Sequence, residues 1–296
     1  MIRRTFQLLT GLGPWRERDL WARGISTWDQ FPKAESGVVV SRKLDDQIRD
    51  RIGACQLALD GCDLAALSRL IPAREHWRLY NEFAEEAAFF DVETEGTSSP
   101  TPTVASVFDR EGLHVFIRDH NLDRLPEAMA RSRLWVSFNG SCFDVPALSS
   151  HFENFPKPSV HLDLRFLCRR FGKGGGLKGL EDRLGFGRPP HLRGVNGWDA
   201  IILWRAYQRN ADVEALRFLV EYNLYDSFQL RALLDRVYNH AIDLLALDAP
   251  RRRVFDRGEI LYDVSKLLLQ LGTSPGDLSV LERLKREKER NLLEVY

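Results

Sequence analysis

Ala88-Phe89-Phe90-Asp91-Val92-Glu93-Thr94 reads as a short β-strand that is apolar at its start and acidic at its end. Side chains alternate faces along a strand, so Asp91 and Glu93 point one way and Phe90 and Val92 the other. Two carboxylates on one face of an apolar strand are costly to bury unless something neutralises them. A hard divalent cation, Mg²⁺ or Mn²⁺, suits that role because such ions prefer carboxylate and water oxygens. The competing reading is a strand that runs out into a solvated turn.

Downstream of this stretch the pattern alternates strands and helices. After a Gly/Ser/Pro/Thr-rich loop at 96–103, Thr103 to Phe108 and Leu113 to Ile117 read as a hairpin turning at Asp109-Arg-Glu-Gly112. A helix is expected from Leu122 to Ser132, and strands at Leu134 to Phe138 and Val160 to Leu164, each leading into a helix. Five strands with helices between the later ones describe an α/β fold, a mixed five-stranded sheet flanked by helices. Leu177 to Leu184, Gly197 to Tyr207 and Asp212 to Tyr238 continue as helices. Between them, Gly172-Lys173-Gly-Gly-Gly-Leu-Lys178 lacks P-loop spacing, yet adjacent glycines beside Lys173 and Lys178 would let a phosphate approach the backbone. A flexible linker is the plainer alternative.

Upstream, residues 1–84 read as helical. Pro14 suits the first turn of a helix and Gly24 its end, while Thr27 with Gln30 fits a capping box for another. The turn Gly11-Leu12-Gly13 between expected helices resembles a helix-hairpin-helix module, in which backbone N–H groups meet a nucleic-acid phosphate. Leu44, Ile48, Ile52 and Leu59 recur at helical spacing, Asp63 caps a further helix, and Trp77, Tyr80 and Phe83 form an aromatic stripe from Arg74 to Phe83. Residues 241–296 are expected to form a helical extension.

The bulk numbers exclude rather than identify. The chain has 296 residues, 44% apolar and 28% charged, an ordinary globular composition. Lys+Arg and Asp+Glu are 42 each, so any nucleic-acid-binding surface must be local. Cys55, Cys62, Cys142 and Cys168 form no CxxC pair and read as free thiols of a reducing compartment. No apolar run of membrane-spanning length is present, and the N-terminus lacks the apolar segment of a signal peptide. A cytoplasmic protein with no membrane partner is the expectation.

Three further residues gather around the opening strand. Asp144 lies in Asn139-Gly-Ser-Cys-Phe-Asp144, where a strand gives way to a helix, and Tyr222 and Asp226 share a helix face at i and i+4. Asp-x-Glu, then N-G-x-x-F-D, then Y-x-x-x-D, in that order, resembles the three motifs of the DEDD superfamily of 3′→5′ exonucleases. Tyr222, four residues before the last Asp, resembles its tyrosine subclass. Glu75-His-Trp-Arg-Leu-Tyr80, Leu177-Lys-Gly-Leu-Glu181 with Leu184-Gly185, Leu203-Trp204 and Tyr222-Asn223-Leu-Tyr-Asp226 are similar to the YprB-like, ribonuclease-H-like exonucleases of bacteria. The resemblance covers about 85–240 and implies a ribonuclease-H-like exonuclease domain there.

That resemblance implies a metal-dependent 3′→5′ exonuclease acting on single-stranded DNA or RNA, with DNA preferred on the strength of the Gly-Leu-Gly turn. Two divalent ions about 3.5–4 Å apart would activate water and stabilise the leaving oxygen. Asp91, Glu93, Asp144 and Asp226 would hold the pair, Asp91 bridging, and Tyr222 would orient water or phosphate. An ordinary tyrosine pKa near 10 makes it a hydrogen-bond partner rather than a base. Gly11, Gly13, Asn139, Lys173 and Lys178 are the candidate nucleic-acid contacts. The rivals are a weakly active nucleic-acid-binding module of a repair assembly and an RNA-processing exonuclease; the sequence names no protein partner.

Overall fold

The computed structural model describes residues 1–9, 11–31, 42–96, 100–256 and 264. Five strands form one sheet: β1 (Ala87–Thr94), β2 (Pro102–Asp109), β3 (Gly112–Ile117), β4 (Leu134–Ser137) and β5 (Val160–Asp163), in spatial order β3-β2-β1-β4-β5. β1, β2 and β3 pair antiparallel, whereas β1–β4 and β4–β5 are parallel. The acidic strand therefore sits at the centre, where the antiparallel meander meets the parallel half.

Both faces of the sheet are covered. Ala88, Phe90 and Val92 of β1 point into a compact cluster with Val107, Phe116, Met129, Trp135 and Leu148. Helices α4 (Leu125–Ala130) and α5 (Asp144–His151) close that side. Phe90 meets Trp135 edge-on at 5.7 Å between ring centroids, and the indole N–H donates to the carbonyls of Met129 and Ser132. Pro126 falls in the first turn of α4, where a missing N–H costs nothing, and the residues before it make a 3₁₀ turn. Ala87 and Phe89 point the opposite way, into a larger core with Val104, Leu134, Val136 and the long helix α9 (Val213–Leu244). Asp91 and Glu93 share the parity of Phe89, so they face α9.

The remaining helices are α1 (Pro14–Ala22), α2 (Arg42–Asp60), α3 (Leu64–Leu70), α6 (Leu164–Arg170), α7 (Leu177–Leu184) and α8 (Gly197–Asn210). The larger core runs from Met1, Ile2 and Phe6 through Leu20 and Trp28 to Ile242. A buried polar knot pins the first segment to it. Glu17 accepts from Thr5 Oγ1, the Phe6 N–H, Gln7 Nε2 and Arg78 Nη2 at 2.7–3.0 Å, and Arg78 Nε also donates to Glu75 at 2.8 Å. Both Glu17 and Arg78 are almost wholly buried, so breaking this pair would strand a charge.

Four expectations change. Among the described residues no α-helix precedes Gly11-Leu12-Gly13: Ile2–Arg4 is a single 3₁₀ turn. The Thr27/Gln30 capping box is formed, but it opens only the 3₁₀ turn Trp28–Gln30. Among the described residues the glycine turn is thus flanked by one α-helix, not two: Phe6 and Leu8 are drawn into the core, and the Phe6 N–H is held by Glu17 instead of by a helical bond. The segment of the aromatic stripe is not an α-helix: Trp77 lies on a 3₁₀ helix, Ala73–Leu79, Tyr80 caps it and Phe83 follows beyond it, all three buried as expected. α9 continues to Leu244, but residues 247–256 have no helix; they return along α9, with Phe255 N–H and Arg252 both bonded to Asp235. Apart from Val264, the rest of the expected C-terminal helix lies outside the described residues.

Candidate active site

β1 and β4 are parallel, so the end of β1 and the loop leaving β4 emerge at the same edge of the sheet. A cleft of about 920 Å³ opens there. Asp91 and Glu93 form its floor, Phe138 and Asn139 come from the loop after β4, and Tyr222 and Asp226 come from α9. One oxygen each from Asp91, Glu93 and Asp226 lies within 4.8 Å of the others. The period of two in β1 and the i, i+4 spacing in α9 are each local; the packing of α9 on the sheet joins them.

Asp144 is placed differently. It opens α5, is buried, and is not among the carboxylates that close to within 4.8 Å. Its Oδ2 abuts Gly140, where an added Cβ would stand only 2.6 Å away and would also strike Ser137. Glycine at 140 is what lets the loop pass so close to this carboxyl.

The electrostatics show an acid cluster short of positive charge. Burial first, then Asp226, Glu93 and Asp144, push the Asp91 pKa well above the usual carboxylate range. Burial, with Asp226 and Asp144, raises Glu93 to about 8. Burial, with Asp163 and Asp226, raises Asp144 to about 8. Hard oxygen donors crowded in a low-dielectric floor suit a divalent cation, which would relieve both the burial and the mutual repulsion.

Several residues support the site in roles that the motifs did not make legible. Asn223, fully buried beside Tyr222, donates from Nδ2 to Asp91 Oδ2 at 2.8 Å and so sets that carboxylate's orientation. Asp163, at the end of β5, accepts from the N–H groups of Asn139 and Ser141 at 2.8 and 3.1 Å and from the Ser141 hydroxyl. This holds Asn139 at φ +68°, a left-handed conformation that Asn tolerates better than most residues. Arg188, in the loop after α7, donates from Nε and Nη2 to the two oxygens of Glu181 at 2.6 and 2.8 Å, and from Nη2 also to Asp226. Glu181 and Arg188 are buried, making a carboxylate–guanidinium–carboxylate bridge behind the acid cluster. Glu181 could be noticed in Leu-Lys-Gly-Leu-Glu, but nothing local pairs it with Arg188 and Asp226.

Lys178 lines the cleft from the first turn of α7, and its Nζ donates to the Tyr222 hydroxyl at 2.6 Å. Burial, then Asp226, Glu93 and Asp91, push the Tyr222 pKa far up, so the hydroxyl keeps its proton. Gly174 to Gly179 form the opposite wall. That wall is held: Arg183 Nη2 donates to the Gly174 carbonyl at 2.6 Å, and a side chain on Gly175, at φ +130°, would meet the same guanidinium at 3.0 Å.

Lys173 is not among the residues lining the cleft. Gly11 and Gly13 lie elsewhere, on a second groove that also takes in Arg51, Arg69 and Arg74. Among the described residues no helix is long and apolar enough to cross a membrane.

Comparison with known proteins adds one finding. A family model of the RNase_H superfamily matches residues 88–238. No curated protein and no solved structure matches the chain. The matched span begins at the acidic strand and ends within the helix that brings Asp226 to it, so the family model and the cleft describe the same unit: this protein belongs to the RNase H superfamily.

Proposed function

We propose that the protein is a metal-dependent nuclease of the DEDD type, tyrosine subclass, that removes nucleotides from the 3′ end of a single strand. The observation that carries this reading is the convergence of Asp91, Glu93 and Asp226 to within 4.8 Å on the floor of an open cleft. Asp91, Glu93 and Asp226, with Asp144 set back, would hold Mg²⁺ or Mn²⁺. Such ions, bound as a pair, supply an activated water and stabilisation of the leaving oxygen.

The chain's own residues do the rest. Asn223 fixes Asp91, and Arg188 fixes Asp226. Tyr222, kept as a phenol, offers its hydroxyl as a hydrogen-bond donor to the scissile phosphate or the incoming water. Lys178 stands beside that hydroxyl and meets phosphate oxygens at the cleft wall. Asn139 lines the cleft from the loop after β4. A preference for DNA would rest on a two-helix hairpin that the described residues do not form, so DNA and RNA enter on equal terms.

The test uses oligonucleotides labelled at the 5′ end, DNA beside RNA, with Mg²⁺, Mn²⁺ or EDTA. A ladder shortening by single nucleotides in either metal and absent in EDTA is expected. Asp91→Ala should abolish it, because one ligand is lost while the fold, relieved of one buried acid, is kept. Wild-type turnover by D91A would sink the assignment, and internal cuts in a circular strand would refute an exonuclease.

A further inference from the structure

The cleft is not electrically uniform. Its floor carries Asp91, Glu93 and Asp226, while the wall supplied by α6 carries Arg165 and Arg169 and no carboxylate. These two arginines are four residues apart on α6, so they stand one above the other on the same face. Both are exposed. Arg165 Nη1 donates to Asn139 Oδ1 at 2.6 Å, which holds it against the loop that forms the floor's edge. The Arg169 guanidinium has no hydrogen-bond or ion-pair partner among the described residues, although Asp and Glu equal Lys and Arg over the whole chain. Two unneutralised cations on a wall leading away from an acid floor do not help hold a metal. They suit an anionic chain whose end lies at the floor.

We propose that Arg165 and Arg169 form a rail for the two phosphates on the 5′ side of the scissile one. This rests on the nuclease reading above. Guanidinium groups bind phosphate oxygens through paired N–H donors. One turn of helix spaces their stems about 5–6 Å apart, comparable with neighbouring phosphates of an extended strand. The rail touches backbone alone. It therefore positions the strand without reading bases, and it serves DNA and RNA alike.

The proposal is tested on the full chain in EDTA, where the strand binds without being cut. Affinity for fluorescein-labelled dT12 and rU12 is measured by anisotropy across a KCl series. For a single strand, each phosphate deprived of its arginine should lower the slope of log affinity against log salt by about 0.7. Arg165→Gln and Arg169→Gln should each lower it by about 0.7, and the double variant by about 1.4, on both polymers. Arg209→Gln, an exposed arginine away from the cleft, should leave it unchanged. Melting curves of all variants should overlay the wild type because both side chains are exposed. A double variant with the wild-type slope overturns the rail, and so does a reduced slope confined to one polymer. Failure of the underlying reading looks different: the wild type would neither bind dT12 nor, in Mn²⁺, release nitrophenol from thymidine 5′-p-nitrophenyl phosphate.

Discussion

Arg188→Met isolates the buried bridge behind the acid cluster. The wild-type guanidinium serves Glu181 and Asp226 at once, and side-chain exposures of 5% for Arg188, 1% for Glu181 and 8% for Asp226 leave water little room to replace it. Breaking a buried pair by removing one partner typically costs about 3–5 kcal/mol. At roughly 2 °C per kcal/mol for a chain of this size, the melting temperature should fall by about 6–10 °C. The loss should be larger at pH 8 than at pH 6. Burial already raises the Glu181 pKa, and without Arg188 to oppose it the carboxyl takes up a proton more readily as pH falls. Glu181→Met/Arg188→Met removes the deeper acid together with its partner. It should recover part of the loss, because the deeper pair is replaced by apolar side chains while Asp226 is still left without its guanidinium. Mn²⁺ should raise the melting temperature of R188M more than that of the wild type, because Asp226 no longer shares its charge with a guanidinium. The assay is thermal denaturation followed by circular dichroism, in EDTA and in Mn²⁺, at both pH values. A single variant melting with the wild type in EDTA at pH 8, or a double variant falling below the single, would refute the bridge as a source of stability.

Tyr222→Phe should lower kcat by no more than about 10²–10⁴, since one hydroxyl is lost and the ring packing is kept; an unchanged kcat would make Tyr222 a core residue only. Metal-free protein should lose stability as pH rises from about 4.5 to about 8, because Glu93 and Asp144 hold protons in the folded state that the unfolded chain has released. The same acids make Mn²⁺ stabilise more at pH 8 than at pH 6, and a melting temperature flat across that window would contradict the buried acid cluster. Deleting residues 1–31 should unfold the protein or lower its melting point severely, since it uncovers the core met by Phe6, Leu20 and Trp28 and takes from buried Arg78 one of its two carboxylates, leaving Glu75; a truncated chain that melts like the full one would show that the segment is dispensable.

The local pattern of the sequence was sufficient for the parts of the site that lie on one element. Strand alternation put Asp91 and Glu93 on one face, and helix periodicity put Tyr222 beside Asp226, because both regularities are set by backbone geometry within a few residues. The five strands and their flanking helices were legible for the same reason. Interactions between distant elements were not. Asn223 reaching Asp91, Asp163 gripping the loop of Asn139, and Arg188 joining Glu181 to Asp226 depend on where whole elements pack, and no local periodicity reports that. The packing also decided against one local signal. Phe6 and Leu8 were drawn into the core instead of forming a helix before the Gly11 turn. There burial and long-range hydrogen bonding outweighed a propensity worth less than about 1 kcal/mol per residue, and only the tertiary structure could show which side prevailed.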